Sequence, residues 1–359
     1  MTGRQRLLCA LRHEEADFVP IFEWIYSTPL LKEVLGFVPD TFHIPSILKC
    51  GEKIGYDFAF APFLGLSGFR PESAAGDVYT DEWGIKYKKD PHTWPMDGAI
   101  ANPLNDGNDW KNYRMPDAKL KWRYKDINEA IKMSDENGMG VIGNVRGPFS
   151  ASWMLFGMEN FAYLLYDEPD TVDAVMGAMT DFAIDASRQM AEAGVDAILF
   201  SDDYGSSNQS LFSTEQFRRF IKPHIGRMGE EIKKLGLPFL MHSDGAINAL
   251  VADCVEAGIE GMHPLERDAG MDLAHIKKTY GSNICIFGNV NNKTTLVNGT
   301  PDDVMAEARE CIRIAAASGG YCLGSDHSVH SDVPNENVFA LYEAGRRYGK
   351  YPIRTDNAR

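Results

Sequence analysis

The pattern of apolar and polar positions becomes a repeat of helix and strand from about residue 126 onward. Apolar residues at intervals of three and four predict helices, which we place at residues 127–137, 169–193, 213–235, 246–257, 272–280, from 301 onward and from about 334 onward. Short apolar runs separate these helices and predict buried strands, which we place at residues 140–146, 196–203, 238–242, 259–266, 284–291 and 321–327.

The N-terminal part of the chain predicts two more strands and one region of a different kind. We expect a helix over residues 3–13, strands over 18–24 and 56–62, and broken helical segments between these strands. Residues 77–125 alternate like a hairpin at first and are then rich in Trp, Pro, Asn and Asp. We interpret 77–125 as an insertion folded over one end of the domain, a candidate lid. A surface hairpin that only packs is the alternative.

The order of these elements predicts the fold class. Strands that alternate with helices at this spacing pair in parallel through right-handed crossovers. About eight strands are predicted, and none resembles an edge strand, so a closed (β/α)₈ TIM barrel fits better than an open doubly wound sheet. We expect one domain over residues 1–359, with an N-terminal helical extension and the insertion over the barrel mouth. No G-x-G-x-x-G or P-loop motif follows any strand, which disfavours dinucleotide or P-loop binding.

Composition and charge narrow the classes of function. The formal net charge of −15 over 359 residues argues against nucleic acid as a partner, because phosphate binding needs a basic face. No apolar run reaches the ~18 residues of a membrane span, and the N-terminus lacks the features of a signal peptide. The six cysteines are scattered without a C-x-x-C pair, so we expect reduced thiols and a cytoplasmic protein. A homodimer is the default expectation for its assembly.

Polar residues end the last six predicted strands, where a barrel gathers its active site. Capping alone does not explain them, because helix caps are Ser, Thr, Asp or Asn and these ends include three histidines. The set is Asn144 and Arg146, Asp202 and Asp203, His242 and Asp244, His263 and Glu266, Asn289 and Asn291, Asp326 and His327.

Imidazole and carboxylate groups within this set suit a borderline cation such as zinc. His242 and Asp244 lie two apart and point the same way if the strand continues. The competing hypothesis is a metal-free acid–base pair, in which His327 donates a proton and Asp244 or Asp202 orients it. We interpret His263, which precedes a proline, as a packing or backbone-bonding residue. The residues we expect to bind the metal are His242, Asp244, Glu266 and His327.

Seven short motifs are informative together; they begin at Arg146, Ser201, Met241, Gly270, Gly288, Gly324 and Val333. Jointly they resemble the uroporphyrinogen decarboxylase superfamily, whose fold is a (β/α)₈ barrel. The decarboxylases of that superfamily carry an arginine-bearing motif after the first strand and an aspartate at the end of the second. Here the first position reads Glu23 to Pro29 without arginine, and the run from Phe58 contains no acid, so porphyrinogen decarboxylation is not expected.

The corrinoid-dependent methyltransferase branch of the superfamily is the better match. The resemblance implies zinc held by a His-x-Cys pair and by a third ligand near the last strand. His242 matches the histidine, Asp244 stands in the place of the cysteine, and His327 lies where the third ligand is expected. Carboxylate in place of thiolate is a harder donor, which disfavours a thiol acceptor such as coenzyme M. It favours a methyl donor in which the methyl group is bound to oxygen or nitrogen.

We therefore predict a zinc-dependent methyltransferase that moves a methyl group from a small substrate, such as a methoxylated aromatic, to a corrinoid carried by a separate protein. The chain has no D-x-H-x-x-G motif, so the corrinoid must arrive on that partner. The alternatives are a metal-free decarboxylase or lyase, with Arg146 holding a carboxylate, and a non-catalytic corrinoid- or tetrapyrrole-binding protein. We expect Asp202, Asp203 and His327 to be catalytic, and the substrate to contact Glu23, Trp24, Arg146, Tyr204 and Asn289.

Overall fold

Seven parallel strands form the main sheet of the computed structural model, which describes residues 1–63, 69–71, 74 and 76–353. From one edge to the other, the strands follow one another in reverse chain order. They are β11 (Tyr321–Cys322), β10 (Cys285–Phe287), β9 (Gly261–His263), β8 (Phe239–His242), β7 (Ala197–Ser201), β6 (Gly140–Arg146) and β2 (Phe58–Pro62). Strand β6 has the predicted bounds, and the other strands of this sheet are shorter than predicted.

The segment before β1 (Ile25–Tyr26) closes this sheet into a barrel. On one side Leu323 donates its N–H to the carbonyl of Pro20 at 2.8 Å, and Phe22 donates to Leu323 at 3.0 Å. On the other side Asp57 donates to the carbonyl of Ile21 at 2.8 Å. β1 then pairs in parallel with β12 (Val329–His330). The predicted (β/α)₈ barrel is confirmed, and the first strand reaches the ladder mostly through single bridges.

Helices surround the barrel in the predicted alternation, although the predicted helix 246–257 is shortened to Val251–Glu256 and two other regions differ. Residues 148–167, which we had not assigned to any element, form two helices separated by Gly157 at a φ of +83°. The predicted helix 213–235 contains a π-helical turn at Phe217–Ile221, next to Pro223, which cannot donate the hydrogen bond of a regular α-turn. The helices are α1 (Gly3–Leu11), α2 (Thr28–Leu35), α3 (Ile44–Ile54), α4 (Gly107–Asn112), α5 (Lys125–Asn137), α6 (Pro148–Phe156), α7 (Met158–Asp167), α8 (Pro169–Ala193), α9 (Thr214–Gln216), α10 (Lys222–Lys234), α11 (Val251–Glu256), α12 (Leu273–Tyr280), α13 (Pro301–Ala315) and α14 (Asn335–Tyr348).

Apolar side chains fill the barrel interior up to its carboxyl end. Leu7 of α1 lies with Phe58, Ile142, Leu199 and other inward residues in one buried cluster. Helix α1 therefore plugs the amino-terminal end of the barrel, and chemistry is left to the opposite end. No helix within the described residues is long and apolar enough to span a membrane.

The insertion contains an antiparallel sheet of three strands, β3 (Val78–Thr80), β4 (Lys86–Lys88) and β5 (Gly98–Ala101), as the hairpin pattern predicted. Its fully buried Trp83 packs edge-on against Phe182 of α8, with ring centroids 4.8 Å apart. These contacts anchor the insertion on the helices that follow β6. A lid function for residues 77–125 stays a prediction.

Candidate metal centre at the barrel mouth

One row of side chains crosses four neighbouring strands at the carboxyl end of the barrel. The register pairs Arg146 with Ser201, Ser201 with His242, and His242 with His263. Side chains at every second position share a face. Leu240, two residues before His242, belongs to the interior cluster, so this row also points toward the barrel axis.

Three groups in and above this row can hold a metal ion. Asp203, His242 and Asp244 each offer one donor atom, and these atoms lie within 4.8 Å of one another. His242 Nε2 is 3.6 Å from Asp203 Oδ1 and 3.7 Å from Asp244 Oδ2. Asp244 Oδ1 is buried and has no hydrogen-bond partner among the described residues. Imidazole nitrogen and carboxylate oxygen are normal zinc donors, so these residues fit the predicted ion.

His327 completes the group on the solvent side. Its Nε2 lies 3.2 Å from Asp244 Oδ2, and its side chain is half exposed. Burial opposes its protonation, but the hydrogen bond and charge of Asp244 outweigh this and raise the pKa of His327 to about 9. Burial alone would raise the pKa of Asp244, yet the two imidazoles His242 and His327 hold it well below its usual range. The structure therefore pairs a carboxylate with a protonated imidazole at the mouth.

His263 contacts His242 directly, which differs from the packing or backbone role we expected. The two Nδ1 atoms are 2.7 Å apart, and the rings stack with centroids separated by 5.0 Å. Burial, and then the neighbouring His242, hold the pKa of His263 well below its usual range, so this ring is neutral. The sequence contains one signal for this contact, because His263 ends β9 just as His242 ends the neighbouring strand β8.

Glu266 lies apart from the three donor residues. One of its carboxylate oxygens accepts from the Gly245 N–H at 2.9 Å, and the other accepts from Lys293 Nζ at 2.8 Å. One oxygen therefore fixes the loop after β8, and the other is paired with a lysine that follows β10. The structure thus brings together His242, Asp244 and His327 of the four predicted ligands, and adds Asp203, which we had predicted only as a catalytic residue.

Asp202 faces away from the mouth and supports helix α6. It is fully buried, and it accepts from the Phe149 N–H at 3.1 Å, from the Ser150 N–H and from the Tyr204 hydroxyl at 2.8 Å. Burial raises the pKa of Asp202 to about 6, although these donors oppose the shift. Asp202 and Tyr204 therefore have internal partners, and the catalytic and substrate-binding roles expected for them stay predictions.

Glu23 and Asn289 are also buried with partners inside the protein. Glu23 accepts from the N–H of Ser325 at 2.6 Å and from its hydroxyl at 2.7 Å. Burial raises the pKa of Glu23 to about 8. The Asn289 amide donates to the carbonyl of Leu265 at 2.8 Å. Both side chains hold the loops that carry the site, and the substrate contacts expected for them stay predictions.

Trp24 and Arg146 are the two predicted substrate-binding residues that line the mouth. The Trp24 ring is 4.8 Å from the His242 ring and stacks on Tyr26 at 6.1 Å. Arg146 ends β6 and is partly exposed, and its guanidinium forms no hydrogen bond or ion pair with any described residue. These side chains give the mouth one aromatic wall and one free cation in the described part of the chain.

The model of the uroporphyrinogen decarboxylase (URO-D) family matches residues 82–348. The chain belongs to the uroporphyrinogen decarboxylase family. The resemblance seen in the sequence is thereby confirmed. The family match covers all the strands from β6 onward, and with them every residue of the metal centre.

Relatives of this URO-D family protein include enzymes of both branches. Methylcobamide:CoM methyltransferase MtaA of Methanosarcina barkeri is 28% identical over 97% of this chain and 98% of its own. A methylated-thiol–coenzyme M methyltransferase of Methanosarcina mazei is 27% identical over 96% and 89%. A uroporphyrinogen decarboxylase of Anaeromyxobacter dehalogenans is 27% identical over 96% and 99%.

A solved structure supports the fold of the URO-D family protein independently. A methyltransferase from Methanosarcina mazei superposes with a TM-score of 0.76 at 23% identity, over 97% of this chain and 99% of its own. The two proteins therefore share their fold over nearly the whole of this chain.

Proposed function

We propose that this protein transfers a methyl group from a small O- or N-methylated substrate to a corrinoid carried by a separate protein, and that it uses zinc to do so. The main support for this proposal is the cluster of possible metal ligands at the barrel mouth, Asp203, His242 and Asp244. Full-length relatives named as methylcobamide:CoM and methylated-thiol–coenzyme M methyltransferases support the reaction class.

Asp203, His242 and Asp244 would hold the zinc ion. His242 Nε2 and one carboxylate oxygen each from Asp203 and Asp244 would be the donor atoms, and Asp244 Oδ1 has no other partner among the described residues. A zinc ion bound there would supply Lewis acidity toward the atom that loses its methyl group. The side chain of His242 is almost completely buried and is therefore held firmly, whereas that of Asp203 is 40% exposed and lies on the open side of the site.

His327 would supply a proton to the departing group. Asp244 keeps a proton on the His327 imidazole above neutral pH, and the ring is half exposed toward the mouth. An alkoxide, phenolate or amine leaving group becomes more stable when a nearby acid protonates it. Asp244 orients the imidazole through the contact with Nε2.

The donor atoms of this site disfavour a thiol as the methyl acceptor. The donor atoms found here are oxygen and nitrogen, and all six cysteines are buried and free. Hard donors leave zinc a stronger Lewis acid toward oxygen or nitrogen, and thiolate ligands favour soft partners. This favours the donor side of the methyl transfer.

Zinc stoichiometry and methyl transfer test the proposal together. We expect about one zinc per chain in the wild type, and loss of both zinc and corrinoid methylation in His242→Ala. His275→Ala, on the exposed face of α12, is the matched control and should keep both. A metal-free wild type with full methyl transfer would contradict the proposal. Carbon dioxide release from a small acid without corrinoid would support the decarboxylase alternative.

A further inference from the structure

Arg146 occupies a position that the metal centre does not use. It shares the inward row with His242, two strands away, which corresponds to roughly 10 Å between the two Cα atoms. Below it, Asn144 donates to the Ser201 hydroxyl at 2.7 Å, so the layer beneath is already complete. The charge of the Arg146 guanidinium reaches the Tyr26 phenol, which also lies within range of the Asp244 carboxylate at the mouth.

The other cations near the mouth have acidic partners in the described part of the chain. Lys293 Nζ is 2.8 Å from Glu266, and Arg267 pairs with Glu307. Arg146, partly buried, has none among the described residues. Removing part of a guanidinium from water without a partner costs free energy, and a planar fork of donors is suited to a carboxylate. A ligand that supplies this carboxylate explains the position.

An aromatic wall connects Arg146 with the metal centre. Trp24 lies beside His242, and Tyr26 stacks on Trp24 with 27° between the ring planes. Burial raises the pKa of the Tyr26 phenol, while the charge of Arg146 lowers it and that of Asp244 raises it, so Tyr26 lies within the field of both groups. A flat ring placed along this wall would have one end at Arg146 and the other near Asp244.

We propose that Arg146 is an anion subsite for the small substrate, and that the substrate is an aromatic carboxylate methylated at the end remote from the carboxylate. This rests on the proposed function and specifies its substrate. The carboxylate pairs with the Arg146 fork, the ring stacks on Trp24 and Tyr26, and the methylated atom points toward Asp203, His242 and Asp244. The dense acid cluster at that end disfavours the opposite orientation.

Binding of 4-methoxybenzoate and of its neutral isostere 4-methoxybenzamide tests this without any corrinoid. By titration calorimetry on the zinc-loaded protein, we expect the wild type to prefer the benzoate by roughly ten- to hundredfold, because charge-assisted bonds carry that difference. Arg146→Met should remove the preference and leave benzamide affinity within about twofold, which also shows that the variant is folded. Equal binding of both ligands to the wild type, or a preference that survives in Arg146→Met, would overturn the proposal.

Two further arms separate the possible causes. Lys293→Gln removes one positive charge from the same face, and we expect it to keep the benzoate preference, since a general field effect would weaken both variants alike. If an aliphatic sulfonate thioether binds in place of the benzoate, the assignment of the substrate as an aromatic carboxylate would be wrong. Benzoate binding through Arg146 without methylation of any corrinoid protein would contradict the proposed function and leave the subsite standing.

Discussion

At the scale of single residues, the proton between two imidazoles links the metal centre to the barrel interior. Only one proton fits between the Nδ1 atoms of His242 and His263, which are 2.7 Å apart. If His242 presents the lone pair of Nε2 to a metal, its proton must lie on Nδ1 and be donated to His263. His263 then carries its own proton on Nε2, which is buried without a partner among the described residues. Because the His263 ring is neutral, one of its nitrogens is unprotonated, and its Nδ1 can accept the hydrogen bond from His242.

Replacing His263 tests this coupling. His263→Phe keeps an aromatic ring beside Trp24 but removes the acceptor, and we expect zinc affinity to fall by about 10- to 100-fold. Competition with a chromophoric chelator measures the change. His263→Asn, which keeps an acceptor oxygen, should lose less. Unchanged affinity in His263→Phe would mean that His263 only packs.

A second prediction at this scale concerns Glu23 and pH. Its pKa of about 8 lies above the ordinary value of 4.5, so the folded protein retains a proton that the unfolded chain releases. The contribution of Glu23 to the free energy of unfolding is therefore complete below pH ~4.5 and declines as the pH rises toward 8. We expect Glu23→Gln to flatten this part of the stability curve, measured by urea unfolding between pH 5 and 8. Parallel curves for the two proteins would contradict the prediction.

At the scale of elements, the periodicity of apolar residues predicted the helices and strands that keep a regular geometry. Helix α8 begins at Pro169 and ends before Gly194, as predicted, because proline suits a first helical turn and glycine the left-handed cap. The strand ends converge by topology, so their shared site was predictable. The contact of Lys293 with Glu266 was not predictable, because side-chain directions beyond a strand end no longer follow its alternation.

The third prediction concerns helix α6, which is linked to Tyr204 because both donate hydrogen bonds to Asp202. Tyr204→Phe removes one hydrogen bond to a buried carboxylate, and we expect a loss of about 1–2 kcal/mol in the free energy of unfolding. Zinc and substrate affinity should change little, since the hydroxyl faces Asp202 and not the mouth. Calorimetric binding alongside chemical denaturation separates the two effects. Weaker substrate binding at full stability would instead support the substrate contact that we inferred from sequence.

At the scale of the whole molecule, the metal centre joins strands that the chain places far apart. Asp203 follows β7 and Asp244 follows β8, while His327 comes from the loop after β11, which the first segment of the chain holds through Glu23 and Ser325. The unfolded chain has no such arrangement of donors. Ions that bind only the folded form therefore stabilise the entire barrel.

Thermal unfolding with and without zinc tests this linkage. Free zinc at a hundred times its dissociation constant should add about 2.7 kcal/mol to the free energy of unfolding, and a chelator should remove it. In Asp203→Asn with Asp244→Asn, we expect the zinc-dependent shift in Tm to disappear. His275→Ala, which removes an exposed imidazole on α12, should keep the shift. A shift of equal size in the double variant would mean that zinc binds elsewhere, because these two carboxylates provide the oxygen donors around His242 Nε2.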